Sequence, residues 1–193
     1  MTEFQFIGQK PDLLELVIEG ERVRLVTISG KFEEDIFSEF TSDITRYMMP
    51  KPADDVAETR AFIADSLQGM KEGDNVQLVI LRKDDDEFLG CCGLHGRGDV
   101  AKPELGIWLK HDAHGHGYGR EAVHALVKWA RENIRLEGFI YPVDKNNAPS
   151  RNIPVSLGGR VIGERVEYGQ AGNRLDEVVY EIPASSQGFP SSA

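Results

Sequence analysis

Residues 111–119 read HDAHGHGYG, three histidines and three glycines, and the pattern then turns helical. Two chemistries can use such a stretch. His111, His114 and His116 are metal-ligating side chains, but only Asp112 stands beside them to complete a set, with no cysteine or further carboxylate at useful spacing. The glycines offer the second chemistry. Without Cβ atoms, their amides can turn toward one point, and a helix N-terminus adds partial positive charge, which together hold a phosphate or pyrophosphate. The anion reading accounts for the missing bulk and the metal reading does not, so no metal is expected. His114 and His116 then either lend donors to the anion or face solvent.

Neither common phosphate motif is present. Gly115, Gly117 and Gly119 alternate, so the G-x-G-x-x-G spacing of a dinucleotide fold is absent, as is the Gly-Lys-Ser/Thr ending of a P-loop. Glu137 lies about where a ribose-binding acid would, yet no regular βαβ pattern follows it.

The bulk of the chain narrows the class. Its 193 residues suit one domain with a full core, and 40% hydrophobic with 28% charged residues describe a globular protein. No apolar run approaches the roughly 18 residues that cross a bilayer, so no membrane partner is expected. The start, MTEFQFIGQK, lacks the layout of a secretory signal, and a cytoplasmic location is expected. A net charge of −10 argues against nucleic acid as partner and slightly favours a cationic one. Cys91 and Cys92 are neighbours and read as small residues of a buried strand. The run KDDDE at 83–87 reads as a solvated turn, because consecutive carboxylates do not converge on an ion.

Periodicity then supplies the elements that must position the loop. Residues 14–20 and 22–28, LELVIEG and RVRLVTI, are β-rich, and further strands are predicted near 76–82, 88–95, 104–110, 139–144, 160–167 and 177–182. Helices are predicted over 31–40, over 43–49 up to Pro50, and from an Asp54 cap to about Gly69 with Val56, Ile63, Leu67 and Met70 inward. The clearest helix is 118–134, with Val123, Leu126, Val127, Ala130 and Ile134 on one face. A short helical turn is placed at 149–157, where Pro154 is expected to break the interior. The order is α+β with an antiparallel middle, in one domain over residues 1–183, followed by a flexible tail at 184–193, ASSQGFPSSA.

At this level the chain resembles the GNAT superfamily of acetyl-CoA-dependent N-acetyltransferases. Its pyrophosphate loop, Q/R-x-x-G-x-G/A, is matched by His114-Gly115-His116-Gly117-Tyr118-Gly119, with His114 in place of Gln or Arg. ELGIWLKHDAHGHGYGREAV is similar to the strand–loop–helix of the branch that includes ribosomal-protein N-terminal acetyltransferases. Asn147-Ala148-Pro149-Ser150 fits that branch's N-x-x-S, and Leu157-Gly158-Gly159 resembles its L-G-F. Arg22 to Ile28, ITRYMMPKP and Glu58 to Ile63 are similar to its N-terminal segments, so the resemblance covers about residues 14–183.

The resemblance implies a mixed, mostly antiparallel sheet of six or seven strands whose central strands splay apart around the cofactor, flanked by helices. It implies acetyl-CoA as co-substrate. Ile107, Trp108 and Leu109 would offer backbone groups to the pantetheine arm and thioester. The amides of His114, Gly115, His116, Gly117, Tyr118, Gly119 and Arg120 would hold the pyrophosphate. Asn147 would bond the pantetheine, with Ser150 beside it.

Acetyl transfer to an amine needs a base for the ammonium, a donor for the tetrahedral oxyanion and a proton for the departing thiolate. Glu104, two residues before Gly106, is the candidate base, directly or through a water. A backbone amide near Trp108 or Leu109 is the candidate oxyanion donor. The tyrosine that serves as acid in many GNAT proteins falls on Pro154, which leaves Ser150, either as acid or as helix N-cap, and more weakly Tyr141. Trp108 reads as core or as lining of the acceptor tunnel. The function expected is N-acetylation of a primary amine, either a small molecule or a protein N-terminus. A catalytically weak acyl-CoA-binding protein, a succinyl-type transferase and an ATP- or NAD-binding enzyme are the alternatives. A homodimer is allowed.

Overall fold

The antiparallel middle that patterning implies is the backbone of one eight-stranded sheet. It is seen in a computed structural model that describes residues 3–189, so the expected tail lies outside the described residues from 190 onward. In chain order the elements are β1 (Val17–Glu19), β2 (Val23–Thr27), α1 (Glu33–Glu39), α2 (Ser42–Thr45), α3 (Val56–Glu72), β3 (Asn75–Arg82), β4 (Phe88–His95), β5 (Glu104–Leu109), α4 (Tyr118–Asn133), β6 (Gly138–Asp144), α5 (Ala148–Ser156), β7 (Arg160–Tyr168) and β8 (Arg174–Pro183). The strand order is β1-β2-β3-β4-β5-β6-β8-β7. That is one strand more than the resemblance implied, and each strand falls on a stretch that patterning marks as β-rich.

Every pairing is antiparallel except β5 with β6, which run parallel and share a single register pair, Glu104 with Ile140. Beyond that pair the two strands separate. Pro142 sits in the separated part of β6, where an absent neighbour makes a proline tolerable.

The sheet buries both faces. Ala122, Val123, Leu126, Val127 and Ala130 form the inner stripe of α4 and are fully buried against one face. On the other face α1 and α3 cover Val79, Leu81, Phe88 and Cys91 with Ile36 and Ile63. A bulge in β4 keeps Phe88 and Cys91, three positions apart, on the same face. Ile80 pairs with Gly90 and Leu81 with Phe88, so Leu89 is the extra residue. Ordinary alternation past the bulge puts Cys91 in the α1/α3 layer and Cys92 in the α4 layer. Both thiols are free and buried, and burial raises their pKa values, that of Cys92 to about 12.

Three local expectations change. The cap of α3 is Asp55 rather than Asp54; its carboxylate accepts from the amides of Ala57 and Glu58. That helix also runs past Gly69 to Glu72, because the residue able to take the left-handed stop is Gly73, at φ 84°. Pro154 does not break α5, which is continuous from Ala148 to Ser156. The helix is only 9 residues long and Pro154 falls in its last turn, where few bonds remain to be lost. The amides of Leu157 and Gly159 close on the Pro154 carbonyl instead.

Candidate active site

The separation of β5 from β6 opens a cleft of about 510 Å³ on the α1/α3 side of the sheet. Cross-strand register sets its floor. On that face Val79, Cys91 and Trp108 stand in one row, Gln77, Gly93 and Gly106 in the next, and Asn75, His95 and Glu104 in the last. The side wall is apolar, made by Phe40, Met48 and Phe62 from the helical segment. Tyr141, Asn147 and Ser150 face it from β6 and α5.

Glu104 is the β5 residue in register with β6, so its side chain stands where the splay begins. The residue is exposed to the cleft, and the protein atoms crowding its carboxyl desolvate it. Burial raises its pKa above the ordinary carboxylate value, Arg165 opposes that, and Glu177 adds to it. Arg165 is itself tied to Glu177 at 2.6 Å, which keeps part of its charge engaged elsewhere.

The strand residues Ile107, Trp108 and Leu109 divide between the two faces. Trp108 is half-buried and lines the cleft, its ring 4.8 Å from that of Phe40 and 5.8 Å from that of Phe88. It is thus both packing residue and lining. Ile107 and Leu109 pack toward α4, where a Cβ on Gly119 would come within 3.3 Å of Leu109 Cδ1. Gly119 is small so that the start of α4 can lie against β5.

The glycine loop follows β5 on the far side of the cleft lining. Gly115 and Gly117 adopt φ 80° and 79°, and Gly117 is the residue before the first turn of α4. A side chain is strained at either position. The first-turn amides of α4 have no intrahelical partner, so Tyr118, Gly119 and Arg120 present N–H groups at the loop. His114 is exposed, and its Nε2–H donates to the Leu109 carbonyl at 2.9 Å and ties the loop to β5. His116 is exposed, with its ring 5.7 Å from that of Tyr118. Among the described residues no three His, Cys, Asp or Glu side chains are grouped to hold a metal.

Arg22, which sequence patterning placed only in a strand, braces this loop. It donates to the His116 carbonyl at 3.0 Å, lies 4.9 Å over the Tyr118 ring and is paired with Glu121 at 2.9 Å. Glu121 also accepts from the backbone amides of Arg22 and Val23, which lower its pKa against the effect of burial.

At the opposite wall, Asn147 rather than Ser150 caps α5: its side chain accepts from the Ser150 amide at 3.4 Å. The Ser150 hydroxyl is thereby left to meet the Tyr141 phenol at 2.8 Å. Burial raises the Tyr141 pKa to about 12, with the Ser150 hydrogen bond acting against it, so the pair carries protons at neutral pH.

A parallel pair of strands that diverges after one contact, with a glycine loop leading from one of them into a helix, is the geometry the comparisons with known proteins match. Residues 22–160 match the family described as Acetyltransferase (GNAT) domain. The chain belongs to the GNAT family and is an N-acetyltransferase. A protein described as "Uncharacterized N-acetyltransferase p20" of Bacillus licheniformis is 28% identical over 149 residues, 76% of this chain and 84% of that protein. The structure of Mycobacterium smegmatis RimJ in complex with CoA-disulfide superposes with a TM-score of 0.78 over 89% of each chain, at 18% identity. The Salmonella typhimurium acetyl transferase described as modifying the N-terminal serine of 50S ribosomal subunit protein L7/L12 has a TM-score of 0.73 over 87% of this chain and 99% of its own, at 14% identity. At such identities the structural likeness speaks for the fold.

The family uses acetyl-CoA, and this chain's residues fit it in two respects. The positive-φ glycines and the free first-turn amides of α4 are the kind of backbone that can hold a pyrophosphate. Beyond Glu104 the edges of β5 and β6 face a gap and not each other, which leaves backbone groups for an extended arm. Gly117→Val places a β-branched residue at φ 79°. Relieving strain of about 1–3 kcal/mol by reshaping the loop is expected to weaken acetyl-CoA binding by roughly 5- to 150-fold. Isothermal titration of the variant against the wild type reads this directly.

Proposed function

We propose that the protein acetylates a primary amine, with Glu104 as the base and the Tyr141–Ser150 pair as the proton source for the leaving thiolate. The observation that carries this is Glu104's place at the single register pair between β5 and β6, with a pKa raised by desolvation, at the head of the gap. A base whose pKa moves toward neutrality takes an ammonium proton more effectively. Acetyl-CoA supplies the activated acyl group, and no covalent intermediate on the enzyme is required. Glu104 removes a proton from the amine, and backbone amides of β5 near Trp108 and Leu109 stabilise the oxyanion. Tyr141, through Ser150, returns a proton to sulfur. His114, Gly115, His116, Gly117, Tyr118, Gly119 and Arg120 hold the pyrophosphate through the loop backbone, and Ile107 and Asn147 flank the arm.

A cationic acceptor fits the charge of the acceptor side. Residues 31–74, which supply the helical wall, contain eleven acidic and five basic side chains. Tyr47, Met49 and Phe62 form an exposed apolar rim there, which suits an amine carried on an apolar or peptide body. Both a small-molecule amine and a protein N-terminus meet this description, and the L7/L12-modifying relative supports testing the latter.

Acetyl-CoA at about 100 times its dissociation constant is expected to stabilise the fold by about 2.7 kcal/mol, a rise in Tm of roughly 5–10 °C. ATP and NAD are expected to give no rise. Release of CoA thiol is then followed with a seryl peptide, spermidine and butylamine. A rise without any thiol release points to the acyl-CoA-binding reading, and a rise with ATP or NAD overturns the assignment of the loop.

A further inference from the structure

Besides the fully buried thiol of Cys91, His95 is a titratable side chain on the cleft floor that the proposed transfer does not use. It ends β4, and its cross-strand partners are Asn75 on β3 and Glu104 on β5, so the three side chains share a face. The imidazole is folded back over the neighbouring row. A Cβ on Gly93 would lie 2.7 Å from His95 Cε1 and 2.8 Å from Nε2, and one on Gly106 would lie 3.1 Å from Nε2. Neither glycine has positive φ, so it is room for this ring that their size supplies.

The tautomer is set by Asn75. The buried Asn75 amide donates from Nδ2 to the Ser66 carbonyl at 3.4 Å, which leaves its Oδ1 facing His95 Nδ1 at 2.7 Å. An amide oxygen only accepts, so Nδ1 carries the proton and Nε2 carries the lone pair. Among the described residues Nε2 has no hydrogen-bond partner, and His95 lines the same cleft as Glu104. The groups around it are Asp74, Asn75 and Gln77 on the β3 side, Arg97 beyond β4, Glu104 on β5 and, past Glu104, Arg165 and Glu177 on β7 and β8.

We propose that His95 Nε2 accepts a hydrogen bond from the acceptor amine and, with the Glu104 carboxylate, sets the direction in which the amine's lone pair meets the thioester. This rests on the N-acetyltransferase reading with Glu104 as base. One N–H proton passes to Glu104, a second N–H stays bonded to Nε2, and the freed pair forms the N–C bond. The C–S bond breaks as the tetrahedral intermediate collapses; the nitrogen gives up its remaining excess proton and the thiolate gains one. His95 is a positioning residue and not the base. Burial, and then the charge of Arg97, hold its pKa down to about 4, some four units below an α-ammonium. That makes it a poor proton sink, and also keeps it uncharged beside a cation.

Two measurements on the full chain test this. Ring-nitrogen NMR of the wild-type protein, with His95→Gln for assignment, is expected to show Nδ1 protonated, Nε2 unprotonated at pH 7 and a midpoint near 4. Saturating butylamine, with CoA present, is expected to shift Nε2 alone among the ring nitrogens of His95. An Nε2–H tautomer, or no response to butylamine, overturns the proposal whatever the activity. In turnover assays with butylamine, His95→Ala is expected to raise KM for the amine at least tenfold and leave that for acetyl-CoA unchanged. Asn75→Asp puts a carboxylate beside Nδ1 and raises the imidazole pKa, so amine KM is expected to climb as pH falls through the new value. A structural role alone predicts no such pH-dependent KM. Retained acetyl-CoA stabilisation verifies that each variant is folded. Wild-type protein that binds acetyl-CoA but transfers to no amine counts against the Glu104 reading, and the NMR result then still decides the role of His95.

Discussion

Glu104→Gln lowers kcat/KM for any accepted amine by roughly 10²–10⁴-fold, the range expected when a positioned base is lost. The amide keeps the shape and the hydrogen-bonding reach of the carboxyl, so acetyl-CoA still raises Tm as in the wild type. The pH profile carries a second signature. Because burial raises the Glu104 pKa, the acid limb of kcat/KM lies above the usual carboxylate value of about 4.3, and the variant loses that limb. Stability moves the opposite way from activity. A carboxyl with a raised folded-state pKa favours folding while protonated and loses that contribution as pH rises through the folded pKa. At pH 7 the neutral glutamine therefore leaves Tm unchanged or higher. A variant that loses activity and Tm together would instead mark Glu104 as a structural partner of Arg165 and Glu177.

Gly90→Ala is the substitution expected to damage the fold most. Gly90 has φ 151°, and a Cβ there would lie 2.1 Å from the Trp108 carbonyl oxygen and 2.7 Å from Leu109 Cα. Both obstacles are backbone, so no side-chain rotation relieves them. Either β4 or β5 must move, at a cost of about 3 kcal/mol or more and a fall in Tm of roughly 6–12 °C. The damage reaches the site, because the displaced backbone of β5 at Trp108 and Leu109 is the part proposed to meet the thioester. Chemical denaturation and acetyl-CoA titration of the same variant check both consequences. A neutral Gly90→Ala would mean that β4 and β5 are not as closely apposed as the structure has them.

Much of the candidate site was legible in the residues because the loop proposed to hold the cofactor is contiguous backbone. A glycine loop between a strand and a helix has local requirements, namely positive φ at Gly115 and Gly117 and small size at Gly119, and local requirements leave local traces. The inward stripe of α4 is likewise a periodic signal, and Val123, Leu126, Val127 and Ala130 are all buried as the spacing predicts. Glu104 could be named because it precedes that loop by a fixed number of residues.

What the sequence could not show lies across strands. Asn75, His95 and Glu104 come from three strands, and nothing in their separations of 20 and 9 positions brings them together. Their meeting depends on register, and register here turns on a bulge at Leu89 that has no distinctive residue pattern. Pro154 shows the limit of a local rule: a proline that disrupts a long helix is tolerated in the last turn of a short one. The cap of α5 fell to Asn147 instead of Ser150 for a similar reason, since which of two polar residues caps a helix depends on where the helix begins in space. By itself the sequence determined the loop, the helix behind it and the alternation that makes the sheet, because backbone conformation and amphipathic period are short-range properties. Only the tertiary structure decided which side chains share the cleft, because that is set by how strands align and where two of them part.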